Sequence, residues 1–253
     1  PGAGVPGRPR LAGAVLSGPR AQAVLMALLS EPQADEALLA LDRAVVQAVR
    51  ARLAAGPRDR ADAGAIALRQ LLNGVSPAEA AAVKALWGRI EAAGGPAMAA
   101  SGALANLLAA DRYGLSARPM MADEVLKAVD GGARGILDLS SDRPWWGRLL
   151  ARPDMRVVAA LPDDRRARPQ AFVVSKELSG PTGDDRSFWV TDSQWADARI
   201  TDALGQSGLV ADPLAAAGGL KLFVLTGYVQ PEDGRLIGAP GQLTGVIGAA
   251  PIF

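Results

Sequence analysis

Between residues 31 and 56 the apolar side chains return every three or four positions, at Leu38, Leu41, Val45, Val49 and Leu53. That period puts them on one stripe of a long helix, which Gly56-Pro57 closes. A shorter segment at 20–30, RAQAVLMALLS, predicts a helix before it. Ile66, Leu68, Leu71 and Leu72 predict another over 63–73. Ser76-Pro77-Ala78-Glu79 then has the form of a helix start: a capping Ser, Pro in the first turn and a Glu three residues on. The helix it opens runs to about Ala93 and meets Gly94-Gly95-Pro96. Up to that point the chain reads as helical.

After Pro96 the period changes. Residues 97–110 and 122–130 predict helices. Short apolar runs follow at Gly135–Leu139, Met155–Leu161, Ala171–Val174, Ser187–Val190 and Leu220–Val229, with helical segments at 143–151 and 195–208. Strands alternating with helices indicate an α/β or α+β organisation. PDDRRARP (162–169) and SGPTGDDR (179–186) read as loops, and 230–247 is rich in Gly and Pro with weak strand signals. In MADEVLKAVDGGARGILDL (121–139), Val125, Leu126 and Val129 form a helix face and Gly131-Gly132 ends the helix. Gly135-Ile136-Leu137 then enters a strand, with Asp138 read as its end residue.

Composition narrows the chemistry. The 253 residues are 49% apolar, enough for a substantial core, and the charged residues nearly cancel to a net +1. With 4% aromatics, this gives no footprint for nucleic acid or an anionic membrane. No run reaches the roughly 18–20 apolar residues of a membrane-spanning helix, and a cytoplasmic location is expected. There is no His and no Cys. That removes disulfides, thiol nucleophiles, Cys-based zinc sites and the Ser-His-Asp triad. No metal and no cofactor are expected. A formal G-x-G-x-x-G at Gly2, Gly4 and Gly7 lacks the preceding strand that a dinucleotide site needs. Trp145-Trp146 is read as one core ring and one ring over an interface or sheet edge, with stacking on a ligand as the alternative. Asp184-Asp185-Arg186 is read as a turn before a strand.

The helical half resembles the all-helical chorismate mutases, through Leu41-Asp42 with Arg52 further along the first helix, AIALRQLL and SPAEAAAVKALWGRIEAA. The later half resembles a prephenate dehydratase-type domain in AASGALANLLAADRYG and in ADEVLKAVDGGARGILDL. DDRSFWVTDS through LKLFVLTGYV resembles an ACT-type module. The order of segments carries the resemblance. It implies an α+β protein: a flexible tail at 1–10, a helical chorismate mutase-like domain at 11–94, an α/β dehydratase-like domain at 95–180 and an ACT-like α+β segment at 181–253. The resemblance implies a divergent chorismate mutase of aromatic amino acid biosynthesis, acting as a homodimer on an aromatic-pathway metabolite. It assigns catalytic roles to Arg52, Arg58 and Arg60, and substrate contacts to Asp42 and Arg69. Such a pericyclic rearrangement needs fixed cations rather than a base. The sequence also departs from that pattern. Asp35 stands where the first helix should carry an Arg, Ala63–Ile66 replaces a charged cluster, and Gln170-Ala171-Phe172 keeps only the Phe of a Thr-Arg-Phe motif. The alternative is a catalytically inactive module that binds an aromatic metabolite or a protein. Dehydratase activity is not expected.

Overall fold

The computed structural model describes residues 35–54, 60–115, 119–140 and 143–253. The tail at 1–10, the helix expected at 20–30 and Arg58 lie outside them. The chain divides into two compact units, Pro1–Ala40 and Leu41–Phe253. In the first, Asp35 opens helix α1 (Glu36–Ala54): its Oδ1 accepts from the Ala37 N–H at 2.9 Å. This is the N-capping use of a short acidic side chain. The position that departs from the mutase pattern is thus a helix start.

In the second unit, α1 continues to Ala54 and is followed by α2 (Ala61–Leu72) and α3 (Pro77–Gly94). The capping box at Ser76 is formed on both sides: Ser76 N–H donates to Glu79 Oε2 at 2.6 Å, and Glu79 N–H to Ser76 Oγ at 3.4 Å. The apolar stripe expected on α1 is not the buried one. Ala44, Ala48 and Arg52 are buried, whereas Leu53 is 69% exposed. The buried row is turned one residue, about 100°, from the expected one. Small alanines let the helix approach Trp87, which with Leu68 and Val83 forms the core of the helical layer.

The remaining elements build one nine-stranded sheet. They are β1 (Met98–Ser101), α4 (Ala103–Tyr113), β2 (Pro119–Met120), α5 (Ala122–Asp130), β3 (Arg134–Asp138), a 3-10 helix (Trp145–Ala151), β4 (Arg156–Leu161), β5 (Ala171–Ser175), β6 (Asp185–Thr191), α6 (Asp197–Gln206), β7 (Ala211–Ala217), β8 (Leu220–Thr226) and β9 (Thr244–Pro251). The strand order is β2-β1-β3-β5-β4-β9-β6-β8-β7. β2, β1 and β3 run parallel, β3, β5 and β4 alternate, and β4 meets β9 in parallel at Val157 and Gly248. β9, β6, β8 and β7 are antiparallel neighbours. This corrects the expected architecture. Strands on both sides of residue 180 belong to one mixed sheet, so there is no dehydratase-like layer followed by a separate ACT-like segment. The helical layer is not a detached mutase-like domain either. Arg134 of β3 pairs with Glu91 of α3, and Asp163 takes Lys84 of α3 at 2.5 Å and Arg112 of α4 at 3.0 Å.

The sheet is covered on both faces. One face packs α5 and the 3-10 helix through Val125, Val129, Trp145, Trp146 and Leu149 against Leu137, Phe172 and Phe188. The other packs α4 through Ala105, Ala109 and Tyr113 against Ala100, Ile136 and Val173. Alternation along β3 sends Leu137 to the first face and Ile136 to the second. Arg134 and Asp138 share the Ile136 parity, so Asp138 leaves the sheet on the α4 side.

Candidate functional site

From β1 the chain leaves into α4 on one face, and from its neighbour β3 it leaves towards the 3-10 helix on the other. Where adjacent parallel strands send their connections to opposite faces, a crevice opens outside their carboxyl ends. A cleft of about 1030 Å³ lies there. The end of β1 supplies Ser101 and Gly102, the end of β2 supplies Met120 and Met121, and the end of β3 supplies Asp138 and Ser140. Asn106 comes from α4, Asp123 from α5, and Arg143, Pro144, Trp145 and Arg148 from the segment entering the 3-10 helix.

Asp138 is 6% exposed. Its carboxylate lies against the Cα of Gly102, so closely that a Cβ there would overlap it. Gly102 has φ 93° and ψ 154°, a backbone region that side chains exclude. Glycine is therefore required twice at this point, once for the turn into α4 and once for the approach of the acid. Trp145 fixes the other side of the strand end: its Nε1–H donates to the Asp138 carbonyl at 2.7 Å. Asn106 Nδ2 donates to the Gly102 carbonyl at 2.8 Å, which sets the orientation of the amide and leaves Oδ1 buried without a hydrogen-bond partner among the described residues. At the rim, Arg148 pairs with Asp123. A second cavity of about 280 Å³ lies along β9 beside Tyr228 and Arg156. Its charged lining residues, Arg156 and Glu232, are not buried.

The residues assigned by the mutase resemblance lie elsewhere. Arg52 stacks on Trp87, with 5.5 Å from guanidinium carbon to ring centroid. Arg60 pairs with Asp62 at 2.6 Å. Arg69 reaches the sheet: Nη1 donates to Thr182 O and Oγ1, the latter at 3.0 Å, and Nη2 to the carbonyls of Asp184 at 2.7 Å and Ile252 at 2.9 Å. Asp42 is exposed on α1. None of Arg52, Arg60, Arg69 and Asp42 lines the cleft. Trp145 and Trp146 are both buried, and Trp145 also walls the cleft. Around Asp184-Asp185-Arg186, Asp185 accepts from Thr182 N at 2.7 Å and Oγ1 at 2.6 Å, while Arg186 donates to the Pro162 and Ala167 carbonyls. These bonds hold a turn. Asp138, Asn106, Gly102 and the two methionines were not singled out by sequence as a site. The usable signal was positional and covered Asp138 alone, which ends a short apolar run where α/β crevices form; Ser101-Gly102 falls inside the segment read as a helix over 97–110.

The fold and cleft define an α+β protein with a two-sided mixed sheet and an open crevice at the carboxyl ends of its parallel strands. No family model matches the chain, and no curated protein matches it. A solved structure described as "GqqA- a novel type of quorum quenching acylases" is similar, with a TM-score of 0.40 and 18% identity over 62% of this chain and 95% of that chain. The chorismate mutase resemblance is corrected by these findings, and with it the link to aromatic amino acid biosynthesis. No mutase or dehydratase model matches, the later segments that carried the resemblance belong to a single sheet, and Arg52, Arg60, Arg69 and Asp42 do not line the cleft. Among the described residues no group of three or more Asp or Glu could hold a metal ion, and no helix is long and apolar enough to cross a membrane.

Proposed function

We propose that this chain binds a small organic molecule in the cleft at the ends of β1, β2 and β3. The observation that carries the reading is the buried Asp138 carboxylate at the cleft floor, framed by apolar walls from Met120, Pro144, Trp145 and Leu220. Apolar walls with a few placed polar groups are what a small-molecule site requires. No hydrogen bond joins Ser101 or Ser140 to a base among the described residues, so recognition is proposed rather than a reaction.

The test is a thermal-shift screen of a diverse library of small metabolites. A ligand held at one hundred times its Kd stabilises the native state by about 2.7 kcal/mol. For a chain of this size that raises Tm by about 5–10 °C. Ala103→Trp puts a bulky ring at the exposed, cleft-lining start of α4 and is expected to abolish the shift while leaving the unliganded Tm close to wild type. A library that shifts neither protein, or a hit that shifts both equally, removes the reading.

A further inference from the structure

The polarity of the cleft floor specifies which end of a ligand goes in first. The start of a helix ordinarily favours an anion, because its first N–H groups carry partial positive charge. Here that position is already taken: Asp138 brings a carboxylate against Gly102, the N-cap of α4. An anionic ligand group would meet like charge there. Asp138 as a residue is 6% exposed, and no hydrogen bond or ion pair reaches its carboxylate among the described residues. A carboxylate facing the cleft without a side-chain partner is free to accept a charge-assisted hydrogen bond from a ligand donor. Asn106 adds to the same polarity. One of its two amide N–H groups is held by Gly102 O, and its acceptor Oδ1 is the buried atom without a partner among the described residues. The acidic group at the rim, Asp123, already has Arg148. Arg143, exposed on the lining, likewise has a partner, so the group still open at the floor is the Asp138 carboxylate, which calls for a cationic donor.

We infer that the cleft takes an amine: a small molecule whose protonated amino group sits against Asp138 and whose apolar body lies along Trp145, Met120, Pro144 and Leu220. The inference rests on the binding role proposed above and adds the class of ligand.

The test uses three matched compounds, 4-phenylbutylamine, 4-phenylbutyramide and 4-phenylbutyrate, titrated calorimetrically into the full chain. The amine is expected to bind at least tenfold more tightly than the amide, with the butyrate weakest. Asp138→Asn, which keeps the shape of the side chain, is expected to bring amine and amide within about twofold of each other. If that variant does not fold, the wild-type ranking decides alone. A butyrate that binds as well as the amine, or an amine preference that survives Asp138→Asn, overturns the amine assignment and leaves the binding role intact. The same holds if none of the three binds while the library yields a hit abolished by Ala103→Trp. If neither the three compounds nor the library binds, both readings fall together.

Discussion

Asp163 stands between Lys84 of α3 and Arg112 of α4, just beyond the end of β4. Burial pushes its carboxyl up, but the two cations outweigh burial and hold it below the ordinary carboxylate value. The sign of the pH dependence follows. A folded-state value below the unfolded one, about 3.9, contributes stability that is fully present above it. That contribution is lost as pH falls through about 4 towards the lower folded value. Asp163→Asn leaves two partly buried cations without their acid and should cost about 3–5 kcal/mol in urea denaturation at neutral pH. Its stability should also fall less than that of wild type between about pH 5 and pH 3, because the group that titrates there is gone. Equal acid sensitivity in both proteins would remove Asp163 as a source of that dependence. The acids at 138 and 163 look alike in sequence, each following an apolar run. Only their partners separate them: one is enclosed by cations, the other borders an open cleft.

At the scale of elements, β9 joins the two halves of the sheet. It pairs with β6 along its length and with β4 at Val157–Gly248. Gly248 has φ 139°, and a Cβ there would overlap the Val157 backbone. Gly248→Ala should therefore destabilise the protein by about 2 kcal/mol or more, above the range of ordinary surface changes. It should also speed amide exchange in β4 and β5 before that in β8. Uniform exchange across the sheet would argue that β9 does not join the halves. The same strand illustrates what the hydrophobic pattern could convey. The runs at β3, β4, β5, β6 and β8 are legible, because buried strands of Val, Ile, Leu and Phe announce themselves. β9, Gly-rich, reads only weakly. β1 reads as part of a helix over 97–110, since MAAS has helix-favouring residues. Its pairing between β2 and β3 overrides that preference, and the helix begins only at Ala103. β7, ADPLAAA, has no strand period and exists as an edge on β8.

For the whole molecule, Arg69 joins the Arg134–Glu91 and Lys84–Asp163 pairs in holding the helical layer to the sheet. Its guanidinium satisfies the carbonyls of Thr182, Asp184 and Ile252 from α2. Arg69→Leu strands acceptors that each cost about 1–3 kcal/mol when buried without a donor. A loss of about 3 kcal/mol is expected, with ligand affinity in the cleft unchanged by calorimetry. A selective loss of binding with stability unchanged would instead show that Arg69 acts on the cleft and not on the packing of the layers. By itself the sequence determined the three described helices that precede the sheet, the cap at Ser76, the buried strand runs, and a chemistry without His or Cys. These depend on neighbours within a few residues, where period and capping chemistry suffice. Tertiary structure alone decided that one sheet unites residues 98–251, and that Ala44 and Ala48 rather than Leu53 face the core. It also decided that Asp138, Gly102 and Asn106 meet at one cleft. Those outcomes depend on pairing and parity between segments distant along the chain, and no local pattern encodes which strand end will lie beside which helix.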